Sequence, residues 1–193
     1  MSSEPSRSPV QLKRPSIDLL PSYVAALKAG WSPDNVLGKL AADRHLAAIN
    51  QDPHGFVDSL HDPEARGAPI VWLDGGTVPR LPGYVRWIWD GEFCGSIGFR
   101  WAPGGAELPA HVLGHIGYAV VPWKRGRGYA TQALGVVLIE ARARGLTYVE
   151  LTTDPGNIPS QRVILNNGGE LVGPFQKPEQ FGGGNGLRFR IFV

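Results

Sequence analysis

The sequence predicts a single α/β (α+β) domain over residues 10–193. Three observations point there. Leu20, Tyr23, Val24, Leu27 and Trp31 recur at helical spacing near the start. The aromatic and β-branched run Tyr84–Trp89 turns at Asp90-Gly91 into a second extended run. The segment from Gly114 to Arg144 passes from a strand pattern through a glycine-rich turn into a helix pattern.

In chain order, Met1–Pro9 is polar, rich in Ser and Pro, and expected to be disordered. Val10–Lys13 reads as a short strand and Leu19–Trp31 as a helix. Ser32-Pro33-Asp34 is a start signal for a second helix running to about Ile49, and a shorter helix is expected near Gly55–Leu60. Ala68–Gly83 is rich in Gly and Pro and reads as a loop with a short strand at Ile70–Leu73. Tyr84–Trp89 and Phe93–Trp101 then form a hairpin, followed by a loop over Ala102–Pro109 and a strand over Gly114–Val121. Ala130, Ala133, Leu134, Val137, Leu138 and Ala141 mark an amphipathic helix from about Gly128 to Arg144, which Gly145 ends. Tyr148–Thr153 is a strand, Asn157–Asn167 a helix with an Asn cap, and Glu170–Val172 and Leu187–Val193 the last strands.

Composition excludes several classes of function. A formal charge of +2 is too small to predict a nucleic-acid face. No apolar run approaches the roughly 18 residues of a membrane span, and no export signal is visible. The lone Cys94 rules out an intramolecular disulfide and a cysteine-based zinc cluster; it reads as core, no metal site is expected, and a reducing cytoplasm is the simplest setting.

The chemistry is expected where the strand from Gly114 meets the helix after Gly128. The first turn of a helix leaves amide N–H groups without partners, and its dipole favours an anion there. Gly126 and Gly128 let a phosphate approach the backbone, while Arg125 and Arg127 offer charge-assisted hydrogen bonds. Spacing limits which phosphate ligand fits. A nucleotide-hydrolase P-loop needs Gly-Lys-Ser/Thr, whereas Gly128 precedes Tyr129-Ala130; a dinucleotide fingerprint needs a third glycine where Thr131 stands. Gly-Arg-Gly also occurs in RNA-binding tails, but those are disordered and this run lies between a strand and a helix.

Arg125, Gly128 and Ala130 meet the pattern Arg/Gln-x-x-Gly-x-Gly/Ala, with Gly114-His115-Ile116-Gly117-Tyr118 upstream and Asn157-Ile158-Pro159-Ser160 and Gly168-Gly169 downstream. At these residues the chain resembles the GCN5-related N-acetyltransferase (GNAT) superfamily, in particular bacterial predicted acetyltransferases and the ribosomal-protein-acetylating branch. The resemblance covers roughly residues 84 to 175. It implies an acyl-CoA N-acyltransferase fold: a mixed, mostly antiparallel sheet flanked by helices, its fourth and fifth strands splayed into a V that takes acetyl-CoA as cosubstrate. It further implies that Ala119, Val120 and Val121 pair with the pantetheine arm and that Gly126, Arg127, Gly128, Tyr129, Ala130 and Thr131 hold the pyrophosphate together with Arg125. Asn157 and Ser160 would line the far side of the arm, although helix capping explains Asn157 equally well.

Acetyl transfer needs a neutral amine, hence a base or a water chain to one. His115 lies ten residues before Arg125, where the histone-modifying branch of the family carries a glutamate base; it is the candidate base, against a purely packing role. Glu92 and Asp154 are fallback bases. The family's usual tyrosine acid, seven residues beyond Asn157, is replaced by Ile164, and Tyr118, on the strand face opposite His115, reads as core. Trp87, Trp89, Arg100 and the Phe175–Phe181 segment are places for acceptor recognition. The resemblance thus implies transfer of an acetyl group to a primary amine of a small molecule or of a protein or peptide, with a homodimer admitted and neither nucleic acid nor membrane as partner. A non-catalytic acyl-CoA-binding or sensing module is the alternative.

Overall fold

The computed structural model describes residues 10–72 and 74–193. Its elements run β1 (Gln11–Lys13), α1 (Leu20–Lys28), α2 (Lys39–Gln51), α3 (Pro53–Ser59), β2 (His61–Asp62), β3 (Ile70–Val71), β4 (Thr77–Val78), β5 (Gly83–Trp89), β6 (Phe93–Arg100), β7 (Ile116–Val120), α4 (Tyr129–Ala143), β8 (Tyr148–Thr153), α5 (Ile158–Leu165), β9 (Glu170–Gln176) and β10 (Asn185–Phe192). The expected disorder of residues 1–9 and the last residue of the expected strand at Ile70–Leu73 lie outside the described residues.

β1, β5, β6 and β7 are neighbours in one sheet, with β2 also pairing β5, while β8, β10 and β9 form a second sheet; all of these ladders are antiparallel. β7 and β8 are thus edge strands that face each other across a gap. Helix α4 fills the connection between them because its period-3.6 stripe, Ala133, Leu134, Val137 and Ala141, is fully buried against Ile88, Ile97, Phe99 and Ile116 of the first sheet and Val149 and Leu151 of the second. Burying Leu134 alone contributes roughly 2 kcal/mol. The opposite face of the first sheet carries α1–α3, where Tyr23 stacks on Trp87 at 4.8 Å between ring centroids.

Three expectations fail locally. The second helix starts at Lys39 rather than at Ser32: Asp34 Oδ1 accepts the amides of Val36 and Leu37 at 2.7 and 2.8 Å, closing a turn, and Gly38 with φ +51° breaks the chain before α2. Residues 68–83 contain a two-strand ribbon, β3 with β4, that their Gly and Pro content concealed. Trp87, expected at the acceptor site, is instead completely buried core.

Candidate functional site

The two sheets touch at one point. The His115 amide donates to the Glu150 carbonyl at 2.8 Å, and the Glu150 amide donates back to His115 Nδ1 at 2.9 Å. A Cβ on Gly114 would lie 2.9 Å from the Glu150 carbonyl oxygen, so the approach requires glycine. Beyond this vertex β7 and β8 diverge, and a cavity of about 210 Å³ opens, lined by Ile116, Gly117 and Tyr118 on one wall, by Thr153, Asn157 and Ser160 on the other, and at its mouth by Val36 and Phe181.

The geometry corrects the reading of His115 as base. The side chain is completely buried, and Nδ1 already accepts a hydrogen bond, so the neutral ring carries its proton on buried Nε2, near the Ala106 backbone but without a hydrogen bond of good geometry. Burial pushes its pKa down to about 4, against the pull of Glu150. His115 replaces one rung of a strand ladder that the diverging strands cannot make, and neither nitrogen can take a proton from an acceptor.

After the vertex the chain runs strand, turn and helix in the expected order. Gly126 and Gly128 have φ of +73° and +78°, Gly128 caps α4 without any side-chain capping bond, and residues 125–128 are exposed. Among the described residues no acceptor meets the amides of Gly126 through Thr131; the first satisfied amide is that of Gln132, which bonds the Gly128 carbonyl at 3.0 Å. Six adjacent donors are therefore left without acceptors at the positive end of a helix dipole. A Cβ at Gly126 would meet no protein atom within 4 Å, so the space above the turn is open.

One carboxylate fastens both ends of that turn. Asp90, in the β5–β6 hairpin, accepts from Lys124 Nζ at 2.9 Å and from the Tyr129 hydroxyl at 2.5 Å, and Lys124 also pairs with Glu92 at 2.7 Å. Burial pushes the Asp90 carboxyl up, but the hydrogen bonds from Tyr129 and Lys124 outweigh it and hold the pKa at about 2. Glu92 thus serves an ion pair beside the turn rather than a base in the cavity. Asp90→Asn is expected to loosen the turn and weaken acetyl-CoA binding about tenfold in calorimetry, the scale of one charge-assisted bond lost, while the fold persists.

Residues 119–121 do not all present their backbone to the open edge of β7. The Val121 amide already donates to the Cys94 carbonyl at 2.9 Å, so alternation turns Ala119 the same way and leaves Val120 on the open edge. The Val120 carbonyl takes Arg125 Nε at 3.2 Å. On the far wall, the Asn157 side chain accepts the Ser160 amide at 3.2 Å, so it caps α5 and also borders the cavity. Tyr118, read as core, lies in the cavity: its hydroxyl donates across the V to the Ser160 carbonyl at 3.2 Å, and burial raises its pKa to about 12. Ile164 is buried in the cavity wall, so no phenol stands there. Asp154 is held by Lys177 at 2.5 Å. Among the described residues no group of three or more metal-ligating side chains occurs, and no helix is long and apolar enough to cross a membrane.

This arrangement, two sheets splayed around an uncapped glycine turn, agrees with the comparisons. The family model "Acetyltransferase (GNAT) domain" matches residues 37–170, more than half of the chain. The chain belongs to the GNAT acetyltransferase family. Its fold is that of solved GNAT proteins. Mycobacterium smegmatis RimJ in complex with CoA-disulfide is similar at 22% identity and a TM-score of 0.65, covering 95% of this chain and 82% of that one. RimL, a ribosomal L7/L12 alpha-N-protein acetyltransferase in complex with coenzyme A, is similar at 15% identity and 0.62, covering 98% and 97%. The microcin C7 self-immunity acetyltransferase MccE, in complex with acetyl-CoA and AMP, is similar at 12% and 0.58, covering 96% and 93%. No curated protein matches the chain in sequence. In GNAT terms β7 and β8 are the splayed fourth and fifth strands.

Proposed function

We propose that this GNAT protein is an N-acetyltransferase that binds acetyl-CoA in the V, with its diphosphate on the amides of residues 126–131 and its thioester at the cavity between Tyr118 and Ser160. The observation that carries the reading is the run of six adjacent amides without acceptors at the start of α4, on the connection that leaves the splayed strand β7. Bound acetyl-CoA supplies an activated thioester carbonyl. Asp90, through Lys124 and Tyr129, holds the turn in place; the Val120 edge orients the arm; Asn157 and Ser160 form the opposite wall. A reducing cytoplasm suits the buried, free Cys94.

The acceptor amine must lose a proton, and among the described residues the cavity offers no free base: His115 is sealed in the vertex and Asp154 is paired. A side-chain amine with a pKa near 10.4 is almost wholly charged at pH 7, whereas an α-amine with a pKa of about 8 is roughly one-tenth neutral. The site therefore favours α-amines, of amino acids or peptide termini, deprotonated by solvent. Turnover at saturating acetyl-CoA is expected to rise with pH and level off at the acceptor's own pKa, shifting when the acceptor is changed. A limb fixed near pH 6.5 for every acceptor would instead reveal an enzyme base.

Ile164 and the absence of a free base among the described residues favour a second reading, an acyl-CoA-sensing module that keeps the cleft without transfer. Release of coenzyme A over a panel of amino acids and short peptides separates the two: release with any acceptor establishes transfer, and tight binding with no release establishes sensing.

A further inference from the structure

The face of the first sheet that carries α1–α3 has a bare strip beside the cavity. Gly98 and Gly117 are direct partners across β6 and β7, so neither presents a side chain of its own, and Gly117 is exposed. The strip runs toward Asn35 and Val36, the exposed residues between α1 and α2 that border the cavity mouth. Arg100, the next residue on the same face, closes its vertex end: its amide donates to the His115 carbonyl at 2.9 Å, and its Nη2 lies 3.8 Å from where a Gly117 Cβ would stand.

Arg100 is exposed, and its guanidinium has no ion pair or hydrogen bond among the described residues. Surrounding protein disfavours its charge and lowers its pKa, and Asp34 is the acid that pulls the other way. That carboxylate is already engaged by the amides of Val36 and Leu37 at 2.7 and 2.8 Å. An exposed cation beside a glycine floor, with its nearby acid committed elsewhere, is free to take one anionic partner.

Building on the acetyltransferase reading, we infer that the acceptor lies along the Gly98–Gly117 strip and carries an anionic group, a carboxylate or a phosphate, that pairs with Arg100 while its amine enters the V. The strip admits a slender acceptor because neither glycine presents a side chain, and one guanidinium sets the distance between the amine and the anion.

The test uses matched acceptor pairs that differ only in the anion: an amino acid and its amide, a short peptide with Glu or with Gln after its first residue, and an aminoalkyl phosphate and the corresponding alcohol. The full chain is expected to prefer one anionic member, by kcat/KM, on the order of tenfold to a hundredfold, as a charge-assisted pair provides. Arg100→Gln is expected to erase that preference, Arg100→Lys to retain part of it, and the arms separate carboxylate from phosphate. Melting temperature and acetyl-CoA affinity report whether the variants are folded. The N-acetylated members, titrated into protein saturated with coenzyme A, should bind in the same order. This arm needs no turnover, so failure of acetyl transfer is distinguished from failure of the inference. No anion preference in either arm, or a preference that survives Arg100→Gln, overturns it.

Discussion

Gly128→Trp is expected to abolish acetyl-CoA binding while leaving a folded protein. The position has φ +78°, where any side chain adds strain of about 1–2 kcal/mol, yet the nearest protein atom to a Cβ there is Gln132 Nε2 at 3.9 Å. The indole thus finds room without displacing the core and occupies the space above the free amides. Each charge-assisted bond lost is worth roughly 1.5–3 kcal/mol, so two or more lost together lower affinity by at least about a hundredfold. Gly128→Ala is the control: it meets the same backbone strain with a smaller side chain and should bind with only modest loss. Calorimetry with acetyl-CoA, read beside thermal melting, checks both; unimpaired binding by the Trp variant would remove the turn from the cofactor site.

His115→Ala is expected to destabilise the fold and open the vertex rather than remove a base. Its loss leaves the Glu150 amide buried without an acceptor, at about 1–3 kcal/mol, and adds a cavity where the ring packed, for a total of roughly 3 kcal/mol. For a chain of this size that lowers Tm by roughly 6–12 °C. The effect depends on pH in a definite sense. With a folded pKa of about 4 and an unfolded pKa near 6.5, the unfolded chain takes up the proton first as pH falls. The contribution is whole above pH 6.5, declines between 6.5 and 4, and falls no further below. His45, also held below its ordinary value by burial, adds the same sign, so the comparison is between wild type and variant at each pH. The stability gap between them should narrow from pH 7 to pH 4. A variant that melts like the wild type at every pH yet loses turnover would return His115 to catalysis.

Most of the α4 region was legible because two independent signals coincide: the apolar stripe Ala133, Leu134, Val137 and Ala141 specifies the helix, and the glycines at 126 and 128 specify how it starts. The β5–β6 hairpin was readable from Asp90-Gly91. What escaped depends on contacts between distant parts of the chain. A histidine ten residues before Arg125 looks the same whether it faces an acceptor or an edge strand; only the approach of Glu150 decides. Asp90 was visible as a turn residue, but its hold on Lys124 and Tyr129 joins residues far apart in sequence. Alternation along the strand made Tyr118 look like core, yet because the strands splay, its hydroxyl reaches across the V. The late start of α2 followed from Asp34 closing a turn instead of capping a helix, two uses of the same side-chain oxygen that local sequence does not separate.

The central claim is that the amides of residues 126–131 receive a diphosphate. Amide chemical shifts recorded while coenzyme A, and separately pantetheine, is added to the protein test it most directly. Large shifts at 126–131 with coenzyme A, and none there with pantetheine, which lacks the diphosphate, are the predicted result. Binding of coenzyme A that leaves those six amides unmoved would contradict it.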